Sequence, residues 1–202
     1  MIRITPLVLL LGVWAACDGC NLPSQMSPAV ARQSIYRVES QTAGGTAFVI
    51  SHGLLLTAGH LCVHAAENFE SIYLEDGLRL APTKVLGMEM SEGPEQDLCV
   101  LSTDVETGAP LEFSSSLPWK YESTLVIGYP HGDYAETRGV WTGGGRNTAP
   151  CDHGNSGSPI LTMDGVVGVL VQAPSDDPTG KTGCLSTELP EIRAFLHWTK
   201  VL

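Results

Sequence analysis

Aromatic residues make up only 6% of this chain and charged residues only 16%. So little charge excludes the solvated, self-repelling composition of a disordered protein, and a hydrophobic content of 43% supplies enough apolar side chain for a core. Basic residues are scarcer still: 11 Lys and Arg stand against 22 Asp and Glu, a formal net charge of -11. A nucleic-acid binder carries a basic footprint, so no nucleic-acid partner is expected, and the acidity is read as a solubility feature. Helical periodicity is almost missing, with no helix-length periodic segment before the last fourteen residues. What is plentiful is punctuation, Gly 22 and Pro 13, which favours a turn-rich β protein. A length of 202 residues suits one compact domain.

The N-terminus reads "MIRITPLVLLLGVWAACDGC". Arg3 is a short positive segment, and the apolar stretch Pro6 to Trp14 is too short to span a bilayer comfortably. With the small residues Ala15 and Ala16 before Cys17, residues 1–16 are read as a secretory signal peptide rather than a transmembrane helix. "WAAC" is also similar to the bacterial lipoprotein signal, in which the cysteine after two small residues is lipidated and becomes the new N-terminus. Trp14 departs from that pattern, which prefers Leu there. The expectation is an exported cell-envelope lipoprotein, periplasmic or at the surface, held to the membrane by a lipid anchor at Cys17; without the anchor it is a secreted protein. Residues 17–33, small, polar and proline-containing, are expected to be a tether. Four cysteines remain beyond it, Cys62, Cys99, Cys151 and Cys184. An even number in an exported chain predicts two disulfides, of which three connectivities are possible.

From Ile35 onward, short apolar runs are broken by Gly, Pro, Asn and Asp. "GTAFVIS", "LLLTA", "SIYLE", "KVLGMEM", "LCVLS", "STLVIGYP", "RGVWTGG", "SPILTM" and "GVVGVLVQA" read as strands at the close spacing of a sandwich or barrel. Asp76–Gly77 and Asp164–Gly165 are hairpin-turn signals. In "LPEIRAFLHWTKVL", Ile192, Phe195, Leu196 and Thr199 recur at helical spacing with Pro190 near the start, which predicts a short C-terminal helix.

One stretch carries chemistry. "CDHGNSGSPIL" sets Ser156 between glycines ahead of an apolar run. A serine hydroxyl is a poor nucleophile until a neighbouring base takes its proton, and histidine, with a pKa near working pH, is the usual base. Among His52, His60, His64, His131, His153 and His197, His60 stands out, because "LLLTAGHLC" places it at the end of an apolar strand. The orienting carboxylate is expected to be Asp97 in "EQDLCVLS", at the mouth of a strand that reads as buried. Gly154 supplies backbone that approaches a ligand with no side chain in the way. His153 is read as a solvated loop histidine, and Asp152 only as a turn residue.

Three blocks together resemble the trypsin-like (chymotrypsin-fold) serine peptidases: "GTAFVIS…LLLTAGH", "DLCVL" and "GNSGSPIL", in that family's order of His, Asp and Ser. "GVVGVLVQA" resembles the strand that lines the specificity pocket, and "LVIGYP" the compact bacterial branch that includes envelope proteases of the high-temperature-requirement type. The resemblance covers about residues 34–198. It implies an all-β fold of two antiparallel six-stranded β-barrels with a short C-terminal helix: barrel one over about 34–115, barrel two over about 116–188, the helix over about 189–199, all within a peptidase domain of residues 34–202. It implies an exported serine endopeptidase acting on protein or peptide substrates through an acyl-enzyme. Ser156 is then the nucleophile, His60 the general base and then acid, and Asp97 the residue that fixes the imidazole tautomer. The N–H groups of Gly154 and Ser156 form the oxyanion hole. No cofactor and no metal are expected.

The sequence departs from that family in two places. Asn155 precedes the serine where many members have Asp, which excludes activation through a salt bridge from that Asp to a new N-terminus and leaves the oxyanion loop to be held by other hydrogen bonds. By alignment the specificity pocket has its base at Pro150, walls at Val171, Gln172 and Ala173, and its far side at Cys184, with Cys151 beside the base. No Asp at the base holds Lys or Arg, and Leu170 stands where a glutamate-specific member has His, so a small to medium apolar side chain is expected at the cleavage site. As in many relatives, a bridge between Cys151 and Cys184 would staple the pocket. Contact between His60 and Asp97 would bring together Cys62 and Cys99, each two residues further on.

Other readings fit less well. An α/β-hydrolase elbow needs G-x-S-x-G, but the fifth position is Ser158, and the order of Ser, acid and His would demand His197. "CDGC" and "CDH" lack the partner pairs of a zinc site. A catalytically inactive family member acting as a binding module is the alternative function, although all three catalytic residue types are present. The chain ends at Leu202, so no peptide-binding appendage is expected after the peptidase domain.

Overall fold

A computed structural model of the chain describes residues 28–41, 43–67, 73–76, 79–90, 96–172 and 183–201. The expected leader, the anchor at Cys17, most of the tether and Ala173 lie outside these residues. Chain order runs through a one-turn helix α1 (Pro28–Arg32), then β1 (Ile35–Glu39), β2 (Gly44–Ser51), β3 (Leu54–Thr57), α2 (Gly59–Glu67), β4 (Tyr73–Asp76), β5 (Arg79–Pro82), β6 (Lys84–Met90) and β7 (Asp97–Ser102). The second half holds β8 (Ser123–Gly128), a 3-10 turn (Pro130–Gly132), β9 (Ala135–Gly143), β10 (Arg146–Asn147), β11 (Pro159–Thr162), β12 (Gly165–Gln172), β13 (Cys184–Glu188) and α3 (Leu189–Trp198).

The strand runs look uniformly apolar because most of these strands bury both faces, each against a different cluster. On β2, Ala47 and Val49 point into a cluster with Leu55, Leu61, Cys99 and Leu101, the interior of the first barrel. The alternate residues Phe48 and Ile50 face a second cluster shared with Leu125, Ile127, Leu161 and Val169 from the other half of the chain. The same period of two divides β7, where Cys99 and Leu101 go inward and Leu98 and Val100 go to the shared side. In the second half Val126, Ile160, Val167 and Leu170 fill the second barrel's interior, around Trp141 and the Cys151–Cys184 pair. A side chain such as Phe48 or Leu125, withdrawn almost completely from water, contributes roughly 1.5–3 kcal/mol by burial.

The second barrel is closed and six-stranded, in the order β10-β13-β12-β11-β8-β9, as the family resemblance implies. The first sheet has seven strands in the order β5-β4-β1-β2-β3-β7-β6, where six are expected. The difference is a corner. β5 and β6, at opposite edges of the sheet, are separated by Thr83 alone, so the two edges are consecutive pieces of one chain path. The two edges meet in the chain at that corner without pairing to each other, and Pro82, which cannot donate to a ladder, marks the break. The hairpin at 164–165 forms as expected, with Thr162 paired to Gly165, and the strands on either side of the expected turn at 76–77 pair antiparallel, Asp76 opposite Arg79; Gly77 lies outside the described residues.

Two helices were not legible in the sequence. α2 has nine residues, too few for a periodic signal; Leu61, Cys62 and Ala65 are its buried side chains. α1 lies within the expected tether, yet Ala31 is fully buried in the shared cluster and the Arg32 guanidinium lies 4.4 Å from the centre of the Tyr134 ring. The C-terminal helix forms as predicted. Leu189, Ile192, Phe195 and Leu196 are buried on one face, and Thr199 caps the end by giving its hydroxyl to the carbonyls of Phe195 and Leu196. Both disulfides are present: Cys62–Cys99 in the first barrel with Cα atoms 6.4 Å apart, and Cys151–Cys184 in the second with Cα atoms 5.9 Å apart.

Candidate active site

The pairing of β3 with β7 brings the histidine to the aspartate. Thr57 lies opposite Cys99 in an antiparallel register. Residues just beyond Thr57 therefore run alongside residues just before Cys99. The chain turns into α2 at Gly59, and His60 meets Asp97, the first residue of β7. The Asp97 carboxylate is buried and receives two hydrogen bonds from the same residue: the His60 backbone N–H at 2.6 Å on Oδ1, and the His60 ring Nδ1 at 2.7 Å on Oδ2. A carboxylate only accepts, so Nδ1 carries a proton, and in the neutral ring the lone pair falls to Nε2. The Cys62–Cys99 bridge ties the same two elements two residues further along.

Ser156 stands across the junction between the barrels. Gly157 takes φ +85°, and a Cβ there would collide with the Thr46 carbonyl and Thr57 Oγ1 and crowd the Ala58 N–H. The glycine after the serine thus lets the loop lie against the two residues that lead into Gly59 and His60. The Ser156 hydroxyl donates to the Val171 carbonyl at 3.3 Å. Val171, expected to wall the pocket, offers that carbonyl to the site while its side chain packs in the first-barrel cluster.

The loop before the serine is pinned peptide by peptide. The His153 carbonyl accepts from the His131 N–H at 2.7 Å. In a trans peptide N–H and C=O point in opposite directions, so this bond turns the Gly154 N–H to the other side. The Asn155 carbonyl accepts from Ser158 N–H at 2.9 Å, which sets the Ser156 N–H in the same way. Between them the Gly154 carbonyl accepts the Thr46 hydroxyl at 2.8 Å, and the Asn155 N–H donates to the Asp152 carbonyl at 3.0 Å. The Ser156 carbonyl accepts from the Thr46 N–H at 2.8 Å, while the Gly157 N–H donates to the Leu170 carbonyl at 2.7 Å. Gly154 itself takes φ +95° and would drive any Cβ into the Tyr129 carbonyl. These are the hydrogen bonds that hold a loop lacking Asp before the serine; Asn155 in that place is buried.

Asp152 is more than a turn residue. Its carboxylate takes the His153 N–H at 2.7 Å and pairs with His131 Nε2 at 2.9 Å. The backbone bond from His153, and then the His131 side chain, hold its carboxyl below the usual aspartate range. His153 is exposed, as expected. Of the residues expected to form the pocket, Pro150 is exposed, Cys151 and Cys184 are buried and bonded to each other, and the Gln172 backbone ends β12. Sequence reasoning passed over Thr46 and His131. The available signal for Thr46 was a hydroxyl inside an otherwise apolar strand, where an unpaired polar group is costly; His131 gave none.

Against known proteins, the profile of the trypsin-like peptidase domain matches residues 45–169. None of the curated proteins matches the chain in sequence. Among solved structures, Rv3671c from M. tuberculosis H37Rv, as the inactive form of a serine-to-alanine mutant, has a TM-score of 0.70 and 20% identity over 91% of this chain and 94% of that one. The active form of that protease gives 0.66 and 21%, covering 84% and 82%. The serine endoprotease from Yersinia pestis gives 0.71 and 17%, over 85% of this chain and 64% of that one. At these identities the likeness is one of fold.

Proposed function

The chain belongs to the trypsin-like peptidase domain family, and from that premise we propose an exported serine endopeptidase that hydrolyses peptide bonds in proteins or peptides through an acyl-enzyme. Ser156 Oγ attacks the scissile carbonyl and gives its proton to His60 Nε2. The C–N bond then breaks as that proton passes to the leaving amine, and a water activated by the same histidine releases the acyl group. Asp97 holds the ring in the tautomer this requires and stabilises its charged form. The N–H groups of Gly154 and Ser156 receive the oxyanion. The observation that carries the reading is the buried Asp97 carboxylate bonded to both the backbone N–H and Nδ1 of His60, which leaves Nε2 as the ring's acceptor.

In this reading the pocket beside the Cys151–Cys184 bridge takes a small to medium apolar side chain, with Pro150, Cys151, Val171, Gln172, Ala173 and Cys184 around it. Profiling a peptide library checks that preference. Residues 1–16 direct export and Cys17 carries the lipid, so mass spectrometry of the native N-terminus should find an acylated Cys17; a product beginning elsewhere would count against it.

The decisive experiment is labelling with a fluorophosphonate. The wild-type protein should label at Ser156 and cleave peptides, while Ser156→Ala and His60→Ala should each lose on the order of 10⁶-fold in rate with little change in melting. Near-wild-type turnover in either variant sinks the assignment, and an unlabelled wild type would mark a binding module instead.

A further inference from the structure

We propose that the hydroxyl of Thr46 is a positioning device for the oxyanion hole, acting across the two barrels; the proposal rests on the peptidase reading above. Thr46 sits on β2 and is fully buried, yet each of its polar groups is used. Its N–H donates to the Ser156 carbonyl at 2.8 Å, and its own carbonyl accepts the Thr57 hydroxyl at 2.6 Å. Its Oγ1 accepts from the Tyr129 N–H at 3.0 Å and donates to the Gly154 carbonyl at 2.8 Å. Because Tyr129 fills an acceptor position on that oxygen, the hydroxyl proton is directed to Gly154, in a chain of two bonds that polarise each other.

The four peptides from His153 to Gly157 need four fixed orientations for the two oxyanion donors to converge. Thr46 holds two of them, 154–155 and 156–157, and it is the holder that comes from the first barrel. The remaining carbonyls, of His153 and Asn155, are held by His131 and Ser158 from the loop's own half of the chain. Those bonds shape the loop. The Thr46 bonds also fix where it lies relative to Thr57, which carries the Thr46 carbonyl's partner and stands three residues before His60. Thr46 therefore sets the oxyanion donors in register with the base without touching substrate.

The test compares the wild type with Thr46→Val, which keeps the shape and removes the hydroxyl, and Thr46→Ser, which restores it. Active sites are titrated with a fluorophosphonate, so that kcat is counted per competent site. The affinity for a peptide boronate, which binds as a tetrahedral adduct, is measured alongside. Losing one oxyanion donor outright reduces kcat about 10²–10³-fold. With both donors left in place but the peptide between them released, part of that should be lost, roughly 10- to 100-fold. Thr46→Val is expected to lose kcat per titrated site by that factor with KM nearly unchanged, to lose boronate affinity in parallel, and to be rescued by Thr46→Ser. If Thr46→Val does not fold, Thr46→Ala, which leaves room at the same site, carries the same expectation. Wild-type kcat per titrated site in the hydroxyl-less variant overturns the proposal, as does a loss confined to melting temperature and active fraction, or a failure of Ser to rescue. A wild-type protein that neither labels at Ser156 nor cleaves peptides overturns the peptidase reading itself, and this proposal with it.

Discussion

Asp97 shows how much a single buried carboxylate organises here. It fixes both the start of α2, through the His60 N–H, and the ring of the same residue. Asp97→Asn keeps the volume but offers a single acceptor oxygen, so the ring is no longer held as the Nδ1–H tautomer. A drop in kcat of about 10⁴-fold is expected, with the protein still folded by circular dichroism; an Asn variant within tenfold of wild type would contradict the role. Asp152 gives a second residue-scale prediction, with a sign. Its folded pKa is held below its ordinary 3.8 by the His153 N–H and then by His131. A depressed carboxyl contributes stability above the ordinary value, and that contribution is lost as pH falls through the folded value. Both Asp152 and His131 are half-exposed or more, so the effect is small and screened. In urea titrations, Asp152→Asn should differ slightly from wild type at neutral pH, and the difference should vanish in strong acid. A gap that persists unchanged into acid would remove Asp152 as its source.

Among the elements, α3 is the one whose sequence most nearly dictates its structure. Pro190 opens it, and its apolar residues recur on one face. That face closes the shared cluster, with Phe195 only 1% exposed. Phe195→Ala should lower the unfolding free energy by about 3–5 kcal/mol while activity per folded molecule survives; denaturant titration checks the first and active-site titration the second. The strands were legible for a related reason: short, doubly buried runs bounded by turn residues have few other readings. α2 was illegible because nine residues with neighbouring buried positions resemble the end of an apolar strand. The corner at Thr83 was illegible because the run "KVLGMEM" does not disclose that its strand continues the one before it. At the site, the sequence exposed His60, Asp97 and Ser156 because each stands at the edge of an apolar run. The support for the serine loop was hidden, since Thr46 meets Gly154 across 108 positions of chain and no local pattern encodes that distance.

For the whole molecule, each barrel has its own core and its own disulfide, and a third core lies between them. Each bridge closes a loop of similar size, with sequence separations of 37 and 33. Chain-entropy reasoning gives each about 3–4 kcal/mol. Replacing Cys62 and Cys99 by Ala should lower stability by that much and also reduce kcat, because this bridge ties α2 to β7 beside the His60–Asp97 bond. Urea titration and kinetics under oxidising conditions test both, and a stability loss without any change in kcat would separate the bridge from the site. Neither bridge crosses from one half of the chain to the other, and the link between the halves passes through the exposed residues Ser115, Ser116, Leu117, Trp119, Lys120 and Tyr121. A protease that nicks this segment therefore severs the last covalent tie between His60 and Ser156. What remains is a heterodimer of two fragments clamped through their common apolar face, whose melting temperature rises with concentration and whose recovery after unfolding becomes a bimolecular search.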